Sequence, residues 1–187
     1  MIEKIRERVR GFTPTPIPDN GLPRAAVLIP LYSRGANLHV LLTRRTDLVE
    51  HHKGQISFPG GALDDGDAGR LDACALRETY EEIGVDPSDV ALFGALDDMV
   101  TVSNFVVTPY VGAVTRPAPY PFQPNAHEVA EILEVPVPHL LDERNLIKET
   151  RRMQGREVPV YSFRFGEHLI WGATARMLKQ FLDLIRD

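Results

Sequence analysis

Three carboxylates and one guanidinium crowd into the run Arg77-Glu78-Thr79-Tyr80-Glu81-Glu82-Ile83-Gly84. Ala73, Leu76, Tyr80 and Ile83 recur at helical spacing, which predicts an amphipathic helix here. Gly84 predicts its end, because glycine enters the left-handed C-terminal conformation without steric cost. On that helix Glu78 and Glu82 stand four apart and Glu81 three from Glu78, so the carboxylates share one edge. Like charges at this spacing repel, weakening an isolated helix by roughly 0.2–0.5 kcal/mol per pair. A divalent cation reverses the sign of that interaction, and hard oxygen ligands suit Mg²⁺ or Mn²⁺. The plainer reading is a solvated face laced with Arg–Glu pairs, of which Arg77 to Glu81 is one.

What precedes the helix favours chemistry. Phe58-Pro59-Gly60-Gly61 is a tight turn whose glycines let a backbone group approach a ligand closely. An acidic loop, Asp64-Asp65-Gly66-Asp67, then leads into the helix, and the combination predicts a metal–phosphate site. The loop is not a helix-loop-helix calcium site: counting from Asp64, the third place is Gly66 and the twelfth is Ala75. A Walker phosphate loop is absent, since no Gly-Lys-Ser/Thr occurs. His51 and His52 do not read as a zinc site, since no cysteine partner or second ligand pair sits at a suitable spacing. Lys53, near the glycine turn, is a candidate phosphate contact.

Gly61 through Val85 resembles the Nudix box, in which Gly, five residues, Glu and seven residues precede Arg-Glu-U-x-Glu-Glu-x-Gly-U, where U is a bulky aliphatic. Arg77 to Val85 matches with one departure, Thr79 at the first U. The loop is two residues longer than the pattern. Counting forward from Gly61 puts Asp67 at the first Glu; counting back from Arg77 puts Gly69 there. Upstream, Leu41-Leu42-Thr43-Arg44-Arg45, then Gly54, then Phe58 to Gly61 resembles the extra motif of the coenzyme A pyrophosphatase branch. Ile170-Trp171-Gly172-Ala173-Thr174-Ala175-Arg176 is similar to the tail of those enzymes.

The resemblance implies an α/β fold, a Nudix-type α/β/α sandwich with a mixed β-sheet between helices. It implies metal-dependent hydrolysis of a pyrophosphate joined to a nucleoside, with Glu78 and Glu82 holding Mg²⁺ or Mn²⁺, Glu81 close by and the Gly61 carbonyl a further ligand. Arg77 would orient the glutamates by ion pairing. Glu128, outside the box, is a candidate for a further metal carboxylate or a general base, and Glu131 a weaker competitor. Arg44, Arg45, Lys53 and Gln55, beside the glycine turn, are candidates to meet substrate. Arg44 and Arg45 would point to opposite faces of a continuing strand, so at most one suits a site on either face. Coenzyme A would yield 4′-phosphopantetheine and adenosine 3′,5′-bisphosphate. The alternatives are another nucleoside diphosphate derivative, such as ADP-ribose or a dinucleotide, and a nucleotide-sensing module that does not cleave. The intact glutamates argue against the last.

These residues need a scaffold. The 187 residues suit one domain, 1–187, with residues 1–23 forming an N-terminal helix (2–10) and a Pro-rich arm. Strands are expected at 24–31, 38–44, 90–96, 105–114 and 129–135, with two more within 144–165. The segment 116–125, with four prolines in PAPYPFQP, predicts a long loop. A last helix is expected to open at 169–178 and run to about 185. The net charge of −5 offers no broad basic footprint for nucleic acid or an anionic membrane. No run approaches the ~20 apolar residues of a membrane span, and the charged N-terminus is unlike a signal peptide. The expected location is the cytosol and the expected partner a small nucleotide-like molecule. The single cysteine, Cys74, excludes an internal disulfide and reads as packing.

Overall fold

The computed structural model describes residues 1–48, 53–153 and 155–186. In chain order it contains α1 (Ile2–Gly11), β1 (Arg24–Arg34), β2 (Asn37–Arg45), β3 (Ile56–Ser57), β4 (Gly60–Ala62) and α2 (Leu71–Ile83). Then come β5 (Val90–Ala95), β6 (Met99–Val100), β7 (Val106–Val114), β8 (Val129–Pro136) and α3 (Val137–Leu141). The chain finishes with β9 (Leu146–Met153), β10 (Arg156–Phe165), β11 (His168–Ile170) and α4 (Gly172–Ile185). Among the described residues, eight strands form one sheet in the order β3-β2-β1-β7-β5, with β4 also on β1, β6 on β7 and β8 on β2. The β1–β7 pair is parallel and the other pairings are antiparallel, so the sheet is mixed, as expected. Strands β9 to β11 make a second, three-stranded sheet.

Alternation along the strands decides which helix covers which face. Ala26 and Leu28 of β1 pack with Cys74 and Ala75 of α2, while Leu41 of β2 and Tyr32 join Ile83 and Val85. Ile29, Leu31, Val40 and Leu42 point the other way, onto Ile5 and Val9 of α1, Leu140 of α3, and Leu178, Phe181 and Leu182 of α4. With period-2 side chains, a one-residue slip would turn both apolar sets to the wrong face. Each fully buried Leu or Ile contributes roughly 1.5–3 kcal/mol against that slip. The expected α/β/α layering follows, with α2, among the described residues, the helix on the chemical face.

Two expectations are corrected. The apolar stripe of α2 is not Ala73, Leu76, Tyr80 and Ile83: Tyr80 is 54% exposed, and the buried residues are Cys74, Ala75, Thr79, Glu82 and Ile83. The helix is rotated so that a glutamate, which hydrophobic periodicity counts as surface, faces the sheet. The last helix begins at Gly172 rather than 169, because Leu169 and Ile170 are drawn into β11 by pairing with Arg164 and Phe163 of β10. The Pro-rich arm packs along the domain. Thr15 and Ile17 donate backbone N–H groups to the carboxylates of Asp97 and Asp98 at 2.7 and 2.9 Å. Among the described residues, no helix is long and apolar enough to cross a membrane.

Candidate active site

Helix α2 ends where Gly84 takes φ 72° and returns its N–H to the Tyr80 carbonyl. Thr79, the departure from the box pattern, is fully buried and donates its hydroxyl to the Ala75 carbonyl at 2.6 Å. With its polar atom satisfied inside the helix, it presents a methyl group where the pattern has an aliphatic side chain.

The three glutamates meet three different surroundings. Glu82 is 3% exposed, its carboxylate facing Thr43 Oγ1 of β2 at 3.3 Å. Burial pushes its pKa up to about 7; the Arg45 charge and a backbone hydrogen bond from Gly60 act the other way, and the charges of Glu78 and Glu128 raise it further. Glu78 lies flat against Gly61, so closely that a Cβ built there would come within 2.5 Å of its carboxylate carbon. Its pKa is also raised, chiefly by burial, with Arg77 opposing and Glu81 and Glu128 adding. Glu81 is half exposed and pairs with Arg77 at 3.1 Å.

Arg77 holds the edge in order. Its Nε and one terminal nitrogen grip both oxygens of Asp67 at 2.9 Å, and it also donates to Glu78 at 2.8 Å and to the Ala62 carbonyl at 3.2 Å. Asp67, 5% exposed, has its pKa lowered to about 2, first by the hydrogen bond from Arg77. It also accepts the Asp64 N–H at 2.9 Å, closing a 3₁₀ turn at Asp65–Asp67. Of the two positions left open for the first acidic residue of the box, Asp67 is therefore the one that engages Arg77. The longer loop coils into the turn and still delivers a carboxylate.

Glu128 arrives from far along the chain. The loop before it is strapped to the end of α2: Gln123 donates its N–H to the Ile83 carbonyl at 3.0 Å and Asn125 to the Glu82 carbonyl at 2.9 Å. The Asn125 carbonyl accepts the Glu128 N–H at 2.9 Å, and the Glu128 carbonyl accepts from Thr46 after β2. The loop thus satisfies carbonyls that the helix end leaves open and brings Glu128 close enough to raise the pKa values of Glu78 and Glu82.

The two arginines diverge. Arg45 lies near enough to Glu82 for its charge to oppose the rise in that pKa, and its Nε is buried without a hydrogen-bond partner among the described residues. Arg44 turns to the opposite face, where it pairs with Glu131 at 3.2 Å, with His168 3.7 Å from the same oxygen. The structure therefore does not bring Arg44 or Glu131 to the carboxylates. Lys53 is exposed in the turn before β3, and Gln55, partly buried, offers its carbonyl to the Arg45 N–H at 2.9 Å. His51 and His52 lie outside the described residues. Cys74 is buried against the Gly61 and Ala62 carbonyls, 3.5 and 3.4 Å away, with its thiol pKa pushed up to about 11 by burial. That suits packing and not nucleophilic attack.

Among the described residues, no three acidic, histidine or cysteine side chains are already drawn into a metal cage. Arg77 holds Glu78 and Glu81, and mutual repulsion opposes closer approach of Glu78, Glu82 and Glu128. The donor set nevertheless fits a hard divalent cation: carboxylate oxygens whose charge is incompletely compensated and a glycine strand able to approach closely. Thr43, which borders Glu82 and is backed by Ser57, is a site residue that charge patterning misses, since neither carries charge. The available signal was the position of Thr43 one residue before Arg44-Arg45.

A carboxylate-bearing helix laid on a glycine turn, beneath a mixed sheet closed by helices on its other face, suits metal-assisted hydrolysis at phosphorus. Comparison with known proteins makes the class specific. The family model described as the NUDIX domain matches residues 22–153. The Nudix hydrolase NudL of Pectobacterium atrosepticum is 38% identical over 169 residues, covering 88% of this chain and 83% of that protein. NudL of Escherichia coli K12 is 34% identical over 157 residues, covering 84% and 80%. Among solved structures, a MutT/nudix family protein from Enterococcus faecalis superposes with a TM-score of 0.58 over 98% of this chain and 74% of that one, at 15% identity. A C. elegans Ap4A hydrolase binary complex gives 0.51 over 63% and 82%, at 17% identity. Both show the shared fold alone. The chain belongs to the Nudix family and is a Nudix hydrolase. Such hydrolases generally use divalent cations such as Mg²⁺ or Mn²⁺ and act on small nucleotide substrates.

Proposed function

We propose that this protein is a single-domain cytosolic enzyme, its residues 1–23 forming a helix and arm, that hydrolyses the pyrophosphate bond of coenzyme A to 4′-phosphopantetheine and adenosine 3′,5′-bisphosphate. The observation that carries the reading is Arg45. The segment 41–61, which resembles the motif of coenzyme A pyrophosphatases, presents a guanidinium with a buried, unpartnered Nε toward the carboxylate cluster. A guanidinium near an acidic cluster that closes no ion pair with it among the described residues is suited to a phosphate that arrives with its own cation.

Glu78 and Glu82, with Glu81 and the Gly61 carbonyl, would hold Mg²⁺ or Mn²⁺. A cation so bound neutralises diphosphate charge and acidifies water at neutral pH. Arg77, anchored by Asp67, sets the direction of Glu78 and Glu81. Glu128, whose charge reaches Glu78 and Glu82, would accept a proton from the attacking water. Arg45 meets a phosphate oxygen, with Lys53 and Gln55 at the rim; Arg44 supports β2 from behind instead.

The test is a comparison of kcat/KM for coenzyme A, its 3′-dephospho form, ADP-ribose, NADH and diadenosine polyphosphates with Mg²⁺ or Mn²⁺. An Arg–phosphate contact is worth about 1.5–3 kcal/mol, so coenzyme A should exceed the dephospho form by roughly one to two orders of magnitude. Arg45→Ala should lower kcat/KM by a similar factor and Arg44→Ala much less. Good cleavage of ADP-ribose with none of coenzyme A would overturn the substrate assignment and leave the hydrolase intact.

A further inference from the structure

We infer that Thr43 is a positioning residue for Glu82, its hydroxyl holding the buried carboxylate in the direction a divalent cation requires. The inference rests on the reading of this cluster as a cation site. Thr43 lies on β2 opposite Ser57 of β3 and is 1% exposed. Its Oγ1 stands 3.3 Å from Glu82 Oε2, 3.4 Å from the Ser57 carbonyl and 3.5 Å from Ser57 Oγ. A hydroxyl has one proton to give and two lone pairs to offer. With Ser57 Oγ donating to Thr43, the one Thr43 proton has two acceptors, the Ser57 carbonyl and the Glu82 carboxylate, and the carboxylate is the nearer and, when ionised, the stronger. The separations are long for O–H···O bonds, as catalytic contacts commonly are before the ligand set closes.

Glu82 otherwise meets the Gly60 N–H, the positive field of Arg45, and the repelling charges of Glu78 and Glu128. A backbone donor alone leaves the carboxylate able to rotate away from its two like-charged neighbours. A second donor, fixed to a paired strand, removes that freedom. Thr43 also lies immediately before Arg44 and Arg45, so one strand sets both the carboxylate and the guanidinium that faces it. A β-branched residue keeps a strand in place without needing a hydroxyl, so valine would fill the same space.

Titration of metal-stripped protein with Mn²⁺ by calorimetry tests this, with thermal unfolding in chelator as a second readout. Partners of metal ligands typically change affinity by about 10–100-fold when lost. Thr43→Val should therefore weaken Mn²⁺ binding at least ~10-fold while unfolding in chelator changes little, and Thr43→Ser should restore binding. Thr43→Ala, which differs from the serine variant only in the hydroxyl, gives the same comparison should the valine variant not fold. Valine binding as tightly as wild type, or serine binding as poorly as alanine, overturns the role of Thr43 provided Glu82→Gln is itself impaired. Absence of saturable Mn²⁺ binding by the wild-type protein overturns the cation site itself, and this inference with it.

Discussion

Gly61→Ala places one methyl group where the structure has least room for it. A Cβ at this position would lie 2.5 Å from the carboxylate carbon of Glu78 and from Oε1, and 2.6 Å from Oε2, whereas ordinary contact begins at 3.4 Å. The clash therefore asks for a displacement of about 0.9 Å, the gap between those separations. The backbone does not oppose alanine here, since Gly61 is not among the positive-φ glycines. Strand β4 keeps its pairing with Ala26, and the atoms in the way belong to the far end of a flexible side chain. The carboxylate should yield and the fold should not. A misplacement of about 1 Å at a reacting centre can cost on the order of 10²-fold in rate. The expected result is a kcat about 10²-fold lower with a melting temperature in chelator close to that of the wild type. Hydrolysis of coenzyme A followed by product chromatography, beside a thermal melt, gives both numbers. Full activity would refute the claim that the position of Glu78 against Gly61 matters, and a large fall in melting temperature would show that the strand gave way instead.

Two further outcomes follow from the charges. Glu82→Gln should reduce activity at least ~10–100-fold yet stabilise the metal-free protein at pH 8. The folded pKa of Glu82 lies near 7 against an ordinary 4.5, so its contribution to stability is present below pH 4.5 and lost as pH rises through 7. Offset by the lost hydrogen bonds, the gain should be about 2 kcal/mol, read from urea unfolding in chelator at pH 8 and absent at pH 4. Asp67→Asn has the opposite sign. The folded pKa of Asp67 lies near 2 against 3.8, so its stabilisation is present above pH 3.8 and lost as pH falls through 2. Its substitution should cost about 1.5–3 kcal/mol at pH 7 and free Arg77 to draw Glu78 and Glu81 away from a cation, seen as weaker Mn²⁺ binding; unchanged stability would contradict the bidentate clamp.

Local chemistry was enough to find the carboxylate helix, its stop at Gly84, the glycine turn and the layered α/β class, because spacing along a helix and the conformational needs of glycine are properties of a few adjacent residues. The same rules misjudged which side of α2 is buried. Periodicity scores Tyr80 as core and Glu82 as surface, and only docking on a sheet that supplies Thr43 and the Gly60 N–H makes the reverse arrangement favourable. The fates of Arg44 and Arg45 were legible as a pair pointing opposite ways, but which one faced the glutamates awaited the covering of each sheet face. Asp67 could be counted into the box from one end and out of it from the other, and the bidentate grip of Arg77 decided between them. Glu128 stands 46 residues beyond Glu82, and no spacing rule reaches that far. Its place depends on a loop strapped to carbonyls that the end of α2 cannot satisfy for itself. Sequence alone fixes what neighbours along the chain must do; which charges share one buried space is decided by the strand pairing and helix docking that bring distant segments together.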